Sequence, residues 1–251
     1  MKKPKAPKFV YVPKPIRLNK FISNSGLCNR READALIKEG EIKVNGAVVK
    51  ELGTKVILGT DVVTYKEKPL AGEAFVYVIF NKPKNTLTVG KDPQGKPNVI
   101  DMASKACLER IFPVGQLDKE NTGLILLTND MEMSKRLAHP DFYVERLYHI
   151  VLDKTITDKH MKDLLKGVPL EDGLAKVDEI RYVGDEEGPA LGVRLSVNRK
   201  RIVKNLFEHL GYKVEKMDRV LFSGITKRDL PRGRWRVLSD KEVSFLKMAN
   251  R

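Results

Sequence analysis

The sequence predicts an α+β protein with two unequal domains. Two observations lead to this prediction. Strand-like runs outnumber helical ones and follow one another in series, and residues 16–63 contain a helix–helix–hairpin pattern that is complete in itself. Consecutive strands favour a mixed, largely antiparallel sheet over a doubly wound parallel one. With 251 residues, the chain can build two hydrophobic cores without a disulfide or a structural metal.

The predicted domain boundaries follow shifts in composition along the chain. Lys and Pro dominate residues 1–15, which we interpret as a flexible basic arm. Residues 16–63 are the small module, residues 64–73 are interpreted as a linker, and residues 74–251 form the larger domain. No long apolar run and no signal-peptide core is found, so we expect a cytoplasmic protein that contacts no membrane.

The charge of the chain indicates a polyanionic partner. Lys and Arg number 47 against 33 Asp and Glu, which gives a net charge of +14. The pI near 9.6 is typical of nucleic-acid-binding proteins. The chain has two cysteines, Cys28 and Cys107, and they form no CxxC pair. A disulfide framework and a zinc ribbon are therefore excluded, and a reducing compartment is expected.

Capping residues define the elements of the small module. A first helix is predicted to end at Gly26, because glycine is favoured just beyond a helix C-terminus. Asn29 is a good N-cap for a second helix, with Glu32 as its capping-box partner. Asn45–Gly46 lies between two β-prone runs and is a favoured dipeptide of the type I′ hairpin turn.

The larger domain is predicted to consist mostly of strands. The predicted strands are residues 75–83, 111–118, 123–130, 147–153, 177–183, 191–197, 214–225 and 232–238. The predicted helices are residues 156–168, with Thr157 as the N-cap, 201–211, closed by Gly211, and 240–250. Because most of these strands follow one another without an intervening helix, antiparallel neighbours are expected.

One phosphate-binding pattern is rejected on its own chemistry. Gly90 to Lys96 has the spacing G-x-x-x-x-G-K of a P-loop. Pro97, however, stands where that motif needs a hydroxyl for magnesium, and proline disfavours the helix that should follow. We therefore predict a mobile basic loop here and no nucleotide site. The four histidines are scattered without ligand spacing, so we predict neither a metal nor a cofactor.

The N-terminus of the second helix carries two arginines, Arg30 and Arg31. Cations at this end oppose the helix dipole, and an ion pair of Arg30 with Asp34 would offset little of that cost. A phosphate clamp built from free amides and guanidinium groups explains both arginines better. The residues predicted to extend this basic patch are Arg17, Lys20 and Lys43.

The segment RLNKFISNSGLCNRREADALIKEGEIKVNG closely resembles the S4-type RNA-binding module. The match runs from Arg17 to about Val49. In that family the two helices present basic residues to structured RNA. The resemblance thus implies RNA contacts for four residues, Arg17, Lys20, Arg30 and Arg31.

Asp118 is the candidate catalytic residue of the larger domain. From the residues alone it is a carboxylate at a strand end that faces a loop, and a simple Asx-turn is the alternative interpretation. The segment VGQLDKENTGLILLTND resembles the signature of the RsuA/RluB/RluE/RluF pseudouridine synthases. The aspartate of that signature is essential for catalysis in the family, which implies the same role for Asp118.

Further blocks of the same family follow in order. FNKPKN at residues 80–85 resembles the first block, and ERLYHIVLDK resembles the block whose tyrosine stacks on the target base, which implies Tyr148. NRKRIVKNLFEHLGYKV resembles the block whose basic residue pairs with the catalytic aspartate, which implies Lys204. The resemblance extends from Arg17 to the C-terminus. It is closest to the RluF branch, which acts on large-subunit ribosomal RNA.

Several positions depart from the family pattern. Gln116 replaces an arginine that enters the RNA near the flipped base, and Asn85 replaces a glycine. Ile202 replaces a glutamine and Asn205 an arginine. None of these changes removes the aspartate, the basic residue that pairs with it, or the tyrosine. They do bear on which uridine is the target. The further predicted RNA contacts of the larger domain are Gln116, Arg199 and Arg201.

The resemblance implies an RNA pseudouridine synthase that isomerises one uridine of ribosomal RNA, in the large subunit, without a cofactor. The reaction breaks the glycosidic bond, turns the uracil and joins its C5 to C1′, and it needs the base out of the stack. Asp118 acts as a nucleophile at C1′ or as a base at C2′. Two alternatives stay open: a non-catalytic RNA-binding assembly factor, and a synthase for small-subunit or transfer RNA. A monomer is expected.

Overall fold

The computed structural model describes residues 15–57, 60–70, 75–139, 142–184 and 188–248. All but Pro15 of the predicted basic arm lies outside the described residues. The chain divides into two compact units, Met1–Phe75 and Val76–Arg251. No helix in the described part is long and apolar enough to cross a membrane.

The N-terminal unit contains two helices and short antiparallel strands. Its elements are β1 (Ile16–Arg17), α1 (Leu18–Asn24), α2 (Arg30–Glu39), β2 (Ile42–Val44), β3 (Ala47–Val48), β4 (Lys55–Val56), β5 (Val63–Tyr65) and β6 (Lys68–Pro69). Strand β1 pairs with β4, and the others form a sheet in the order β3-β2-β5-β6. The inner faces of both helices bury apolar residues against these strands, with Ile22, Ile37 and Ile42 almost fully enclosed.

The local elements predicted for this unit are confirmed. The Asn29 side chain accepts hydrogen bonds from the first turn of α2, and the Glu32 carboxylate accepts one from the Asn29 amide, which completes the capping box. Gly26 follows α1 with a φ of 78°. Asn45 and Gly46 have φ values of 51° and 84°, the two left-handed residues that a type I′ turn requires.

The segment predicted as a linker is partly structured. Strand β5 pairs with β2, and Thr64 and Tyr65 pair with Pro69 and Lys68 of β6. Residues 64–69 therefore complete the sheet of the small unit, which the Pro- and Gly-containing composition of KEKPLAGE did not indicate. Residues 71–74 lie outside the described part of the chain.

The larger unit is built on one mixed sheet. Its elements are β7 (Tyr77–Lys82), α3 (Val99–Ala103), β8 (Phe112–Pro113), β9 (Thr122–Thr128), α4 (Met131–Ala138), β10 (Arg146–Leu152), α5 (Asp158–Lys166), β11 (Val168–Leu170), β12 (Gly173–Ala175), β13 (Glu179–Tyr182), β14 (Ala190–Leu195), α6 (Ile202–His209), β15 (Val214–Phe222), β16 (Ile225–Thr226), β17 (Trp235–Val237) and α7 (Asp240–Met248). The main path of the sheet runs β13-β14-β10-β15-β9-β7-β17, and β8 and β16 pair with β9 and β15.

All pairs of this sheet are antiparallel except β9 and β15, which run parallel at the centre. Gly123 allows this close pairing. A Cβ on Gly123 would lie 2.4 Å from the backbone nitrogen and oxygen of Arg219, and its φ is 109°. The prediction of a mixed, largely antiparallel sheet is confirmed.

Both faces of the central strands are covered. Every residue of β7 and of β9 is buried, because apolar clusters lie on either side. On one face Phe80 and Ile125 pack with Val99 of α3. On the other face Ile79 and Leu126 pack with residues of α4 and α7. A further cluster joins β10 and β14 to α6.

Some elements differ from the prediction. The strand expected at 111–118 shortens to β8, and α3, α4 and the β11–β12 hairpin were not predicted. Asp130 was placed at a strand end, whereas its carboxylate caps the amides of the first turn of α4. Helix α6 begins at Ile202, so Arg201 precedes the helix rather than opening it.

Candidate active site

Asp118 lies in an exposed turn between β8 and β9. Its carbonyl accepts the Asn121 amide at 3.1 Å, which closes the turn. The Asp118 side chain is 38% exposed. Within the described residues the carboxylate contacts Lys204 and Arg201 and accepts no backbone amide, so the Asx-turn considered as the alternative interpretation is not formed. Asp118 lies in the turn that precedes the fully buried strand β9, and its side chain is accessible to a ligand.

Two cations converge on this carboxylate. Lys204 Nζ lies 3.2 Å from Asp118 Oδ2, and Arg201 Nε lies 3.7 Å from the same oxygen. Lys204 comes from the first turn of α6, and its side chain is only 16% exposed. Arg201 reaches the site from a left-handed position, with a φ of 54°. Two positive charges therefore face the carboxylate that the predicted chemistry needs.

Lys82 is the residue of this site that sequence reasoning missed. It ends β7, is 0% exposed, and donates to the carbonyls of Asn121 at 2.6 Å, Lys119 at 3.1 Å and Pro83 at 3.3 Å. Burial lowers the pKa of the ammonium to about 8, although Asp118 and Glu120 act in the opposite direction. The sequence signal that could have indicated Lys82 is a lysine at the end of a mostly apolar run, FVYVIFNK.

Tyr148 lies in β10, an interior strand of the sheet, between β14 and β15. It pairs in register with Val193 of β14 and Arg219 of β15. Its ring belongs to the apolar cluster that includes Ile202 and Val203 of α6, the helix that carries Lys204. The side chain is 6% exposed, so little of the ring is accessible in the free protein.

Two further arginines are buried beside Tyr148. Arg146 donates to the carbonyls of Val144 at 3.2 Å and Leu137 at 3.4 Å, and burial lowers its pKa to about 10. Arg219 Nε donates to a β9 carbonyl at 2.6 Å. Both guanidinium groups lie over the Phe222 ring, with centroid distances of 5.5 Å and 4.9 Å. The hydrogen bonds of Arg146 connect β10 to α4 and to the segment before β10, and that of Arg219 connects β15 to β9.

The other predicted RNA contacts of the larger unit differ in their surroundings. Gln116 is exposed in the loop before Asp118. Arg199, in contrast, donates to Asp172 at 3.1 Å and to the carbonyls of Gly173 and Leu174 at 3.0 and 3.1 Å. These bonds fasten the β11–β12 hairpin, which gives Arg199 a structural task that the sequence did not show.

The basic residues of the N-terminal unit are mostly accessible. Arg17, Arg30 and Arg31 are exposed and Lys20 is half-buried. The ion pair of Arg30 with Asp34 is not formed, because the Asp34 carboxylate accepts instead from Asn19 Nδ2 at 2.9 Å. Lys43 is paired with Glu67 and is the least available of the five.

No group of three or more His, Cys, Asp and Glu side chains comes together as a metal site in the described residues. The geometry brings one accessible carboxylate, Asp118, together with two cations, Lys204 and Arg201. This arrangement can bind an anionic or polar ligand and can attack or deprotonate it.

Comparison with known families gives two matches. Residues 76–209 match the RNA pseudouridylate synthase family, which covers more than half of the chain. Residues 16–62 match the S4 domain. The first match lies within the larger structural unit and the second within the smaller one.

Several relatives match nearly the whole chain. An uncharacterized RNA pseudouridine synthase of Aquifex aeolicus is 38% identical over 92% of this chain and 93% of its own. The ribosomal large subunit pseudouridine synthase B of Bacillus subtilis is 34% identical, covering 92% and 95%. The dual-specificity RNA pseudouridine synthase RluF of Escherichia coli O6:H1 is 32% identical, covering 91% and 77%. The relative named for the large ribosomal subunit and the relative named as a dual-specificity synthase are thus nearly equally identical to this chain.

A solved structure has the same fold. The crystal structure of a pseudouridylate synthase superposes with a TM-score of 0.59, covering 92% of this chain and 99% of that chain. The sequences are 24% identical, so this similarity concerns the fold.

Proposed function

The chain belongs to the RNA pseudouridylate synthase family, as an enzyme of the RsuA/RluB/RluF type with an S4 domain, and on that premise we propose that it isomerises one uridine of large-subunit ribosomal RNA. The observation that carries a catalytic role is the Asp118 carboxylate, accessible and beside two cations. The choice of RNA rests on the relatives named for the ribosomal large subunit. A cytoplasmic monomer is expected.

Asp118 is the proposed reacting residue. Its carboxylate attacks C1′ of the target ribose or removes the proton from C2′, and either step needs the ionised form. Lys204 Nζ and Arg201 Nε lie 3.2 and 3.7 Å from this carboxylate. On either route the bond from uracil N1 to C1′ breaks and C5 forms the new bond to C1′. C5 then loses its proton and N1 gains one, and the bond from Asp118 to C1′ is broken again, or the proton taken from C2′ is returned, so that the reaction is a net isomerisation.

Tyr148 is the proposed partner of the flipped base. The base must leave the RNA stack to expose C5, and stacking on an aromatic ring offsets part of that cost. Because the ring is nearly buried in the free protein, the RNA complex must open more of its face. The bonds of Arg146 and Arg219 keep its strand in place meanwhile.

RNA binding is divided between the two units in this proposal. The exposed N-terminal basic residues contact phosphates and supply affinity, while Gln116 and Arg201 contact the RNA near the target. The proposed phosphate contacts of the S4 domain are Arg17, Lys20, Arg30, Arg31 and Lys43. Arg199 stays a predicted contact, although its bonds to the β11–β12 hairpin support a structural role.

Mapping of pseudouridine in cells tests the substrate. We expect one modified position of large-subunit ribosomal RNA to be lost when the protein is absent and restored by the wild-type gene but not by Asp118→Asn. Restoration by Asp240→Asn, an exposed aspartate of α7, is the matched control. Loss of a position in small-subunit or transfer RNA would contradict the substrate, and no loss at all would favour the non-catalytic assembly factor that the Gln116 and Ile202 departures suggest.

A further inference from the structure

The loop after β7 bonds to the residues on both sides of Asp118. The Asn85 amide donates to the Lys119 carbonyl at 2.9 Å. The Thr88 side chain bonds to Leu117. The peptide groups that flank the carboxylate are thus fixed by a segment that is distant in sequence. The mobile loop predicted around Gly90 is attached to this segment.

Thr88 makes the tightest of these attachments. Its Oγ1 donates to the Leu117 carbonyl at 2.8 Å and accepts from the Leu117 amide at 3.2 Å. Thr88 is 4% exposed, so water cannot easily replace either bond. One hydroxyl therefore satisfies both backbone groups of the residue before Asp118, as a strand partner would.

A second attachment holds the residue after Asp118. Lys119 Nζ lies 2.9 Å from Asp92 Oδ2, and the Asp92 side chain is almost completely buried. The same carboxylate accepts the Gln94 amide at 2.9 Å. The carboxylate that the loop with P-loop spacing encloses is therefore a side chain of the protein, Asp92. Through the ion pair of Asp92 with Lys119, this loop restrains the turn that contains Asp118.

We propose that Thr88 is a positioning residue for catalysis, which fixes the Leu117–Asp118 peptide so that the carboxylate meets the ribose in a reactive geometry. The inference rests on the proposed role of Asp118. Lys82 and Asp92 restrain the following residues, whereas Thr88 alone among these three side chains bonds to the residue before Asp118. A displacement of about 1 Å at a reacting group can cost about 100-fold in rate.

The test compares Thr88→Val with Thr88→Ser. Valine has the same shape as threonine and removes both hydrogen bonds, whereas serine keeps the hydroxyl. We expect Thr88→Val to lower the single-turnover rate constant at saturating protein by about 10- to 100-fold, with the dissociation constant for RNA within about twofold of wild type. Thr88→Ser should restore most of the rate.

A matched control separates positioning from general stability. Thr128→Val also removes a buried hydroxyl, whose oxygen accepts the Asp130 amide at 3.0 Å. Thr128 is the last residue of β9, whereas the turn that contains Asp118 precedes the first residue of that strand. Thr128→Val should leave the rate constant of the folded protein unchanged. Hydrogen exchange of the Leu117 amide gives a readout that needs no variant to fold: slow exchange in the wild type is expected.

Four results overturn the proposal. Equal single-turnover rates for wild type and Thr88→Val would remove Thr88 from catalysis and leave the proposed function intact. A loss shared equally by Thr88→Val and Thr88→Ser, or fast exchange of the wild-type Leu117 amide, would show that the hydroxyl does not fix this peptide. A wild-type protein that forms no pseudouridine in any ribosomal or transfer RNA would instead overturn the proposed function, and the catalytic role of Thr88 with it.

Discussion

Three charged side chains decide the chemistry around Asp118, and they differ in burial. Lys204 and Arg201 approach the carboxylate directly, whereas Lys82 lies beneath it and holds the carbonyls of its turn. Lys204 and Arg201 determine the charge next to the carboxylate, and Lys82 fixes the backbone conformation of the turn. This division predicts different responses to substitution.

Lys204→Met is expected to slow the chemical step. Loss of the cation 3.2 Å from the carboxylate removes a charge-assisted contact. Such contacts contribute roughly 1.5–3 kcal/mol, so a decrease of about 10- to 100-fold in the single-turnover rate constant is expected. Lys162→Met on α5, where the lysine is exposed, is the control. An unchanged rate with weaker RNA binding would make Lys204 a phosphate contact only.

Lys82 gives the protein a pH dependence of stability. Its pKa is about 8 in the folded chain against 10.5 for an ordinary lysine, because burial disfavours the ammonium. Between these values the unfolded chain binds more protons, so the contribution of Lys82 to stability rises with pH. Relative to Lys82→Met, the wild-type free energy of unfolding should increase by up to about 3 kcal/mol from pH 8 to 10.5. Urea denaturation at several pH values measures it, and a constant difference would contradict the buried charge.

Residue roles were only partly predictable from the sequence. Asp118 and Lys204 belong to family blocks, and the structure brings them within 3.2 Å of each other. The contribution of Lys82 depends on the carbonyls that surround it, which lie on a turn distant in sequence. For the same reason the bonds of Thr88 and the hairpin bonds of Arg199 could not be predicted. Hydrogen bonds to backbone groups far along the chain cannot be recognised from the composition of the segment that carries the side chain.

Helix ends explain which elements were predictable. The ends of α2 and α5 carry local signals, Asn29 with Glu32 and Thr157, and both caps form as predicted. Helix α4 was missed because its cap, Asp130, follows β9 so closely that it continued the apolar strand pattern. Strands β5 and β6 were missed because their stability comes from pairing with β2 rather than from an apolar run.

The attachment of α7 is expected to weaken in acid. Glu242 accepts two bonds from Arg236, at 2.6 and 2.8 Å, and also accepts the Ser239 amide. The hydrogen bonds of Arg236 lower the pKa of this carboxyl from 4.5 to about 2. Glu242→Gln should therefore lower the free energy of unfolding by about 1–2 kcal/mol at pH 7, and this difference should disappear as the pH falls from 4.5 to 2.

Denaturation of wild type and Glu242→Gln across this pH range tests the ion pair of α7. Glu39→Gln is the control, because Glu39 is exposed on α2. A difference that persists unchanged at low pH would mean that glutamine disturbs packing rather than charge.

At the scale of the molecule, the net charge of +14 indicates how RNA is bound. Arg30→Ala with Arg31→Ala should weaken RNA binding without lowering the single-turnover rate at saturating protein. If each arginine contacts one phosphate, the slope of log K against log salt should flatten by roughly 1.4–1.8. Lys38→Ala with Lys50→Ala, which removes two exposed lysines of the same unit, is the control.

The salt dependence also tests the division of labour between the two units. A fully retained slope would mean that Arg30 and Arg31 are only surface charges of α2. Slower chemistry at saturation with intact affinity would mean that the S4 domain takes part in the reaction, against the proposal that it supplies affinity alone.

The most direct test of the central claim is the conversion of uridine by Asp118→Asn in single-turnover experiments with purified protein and its RNA. We expect less than about 1% of the wild-type rate, because an amide can neither attack C1′ nor take the C2′ proton, with RNA affinity within a few-fold of wild type. Turnover above that level with intact affinity would assign the reaction to a residue other than Asp118.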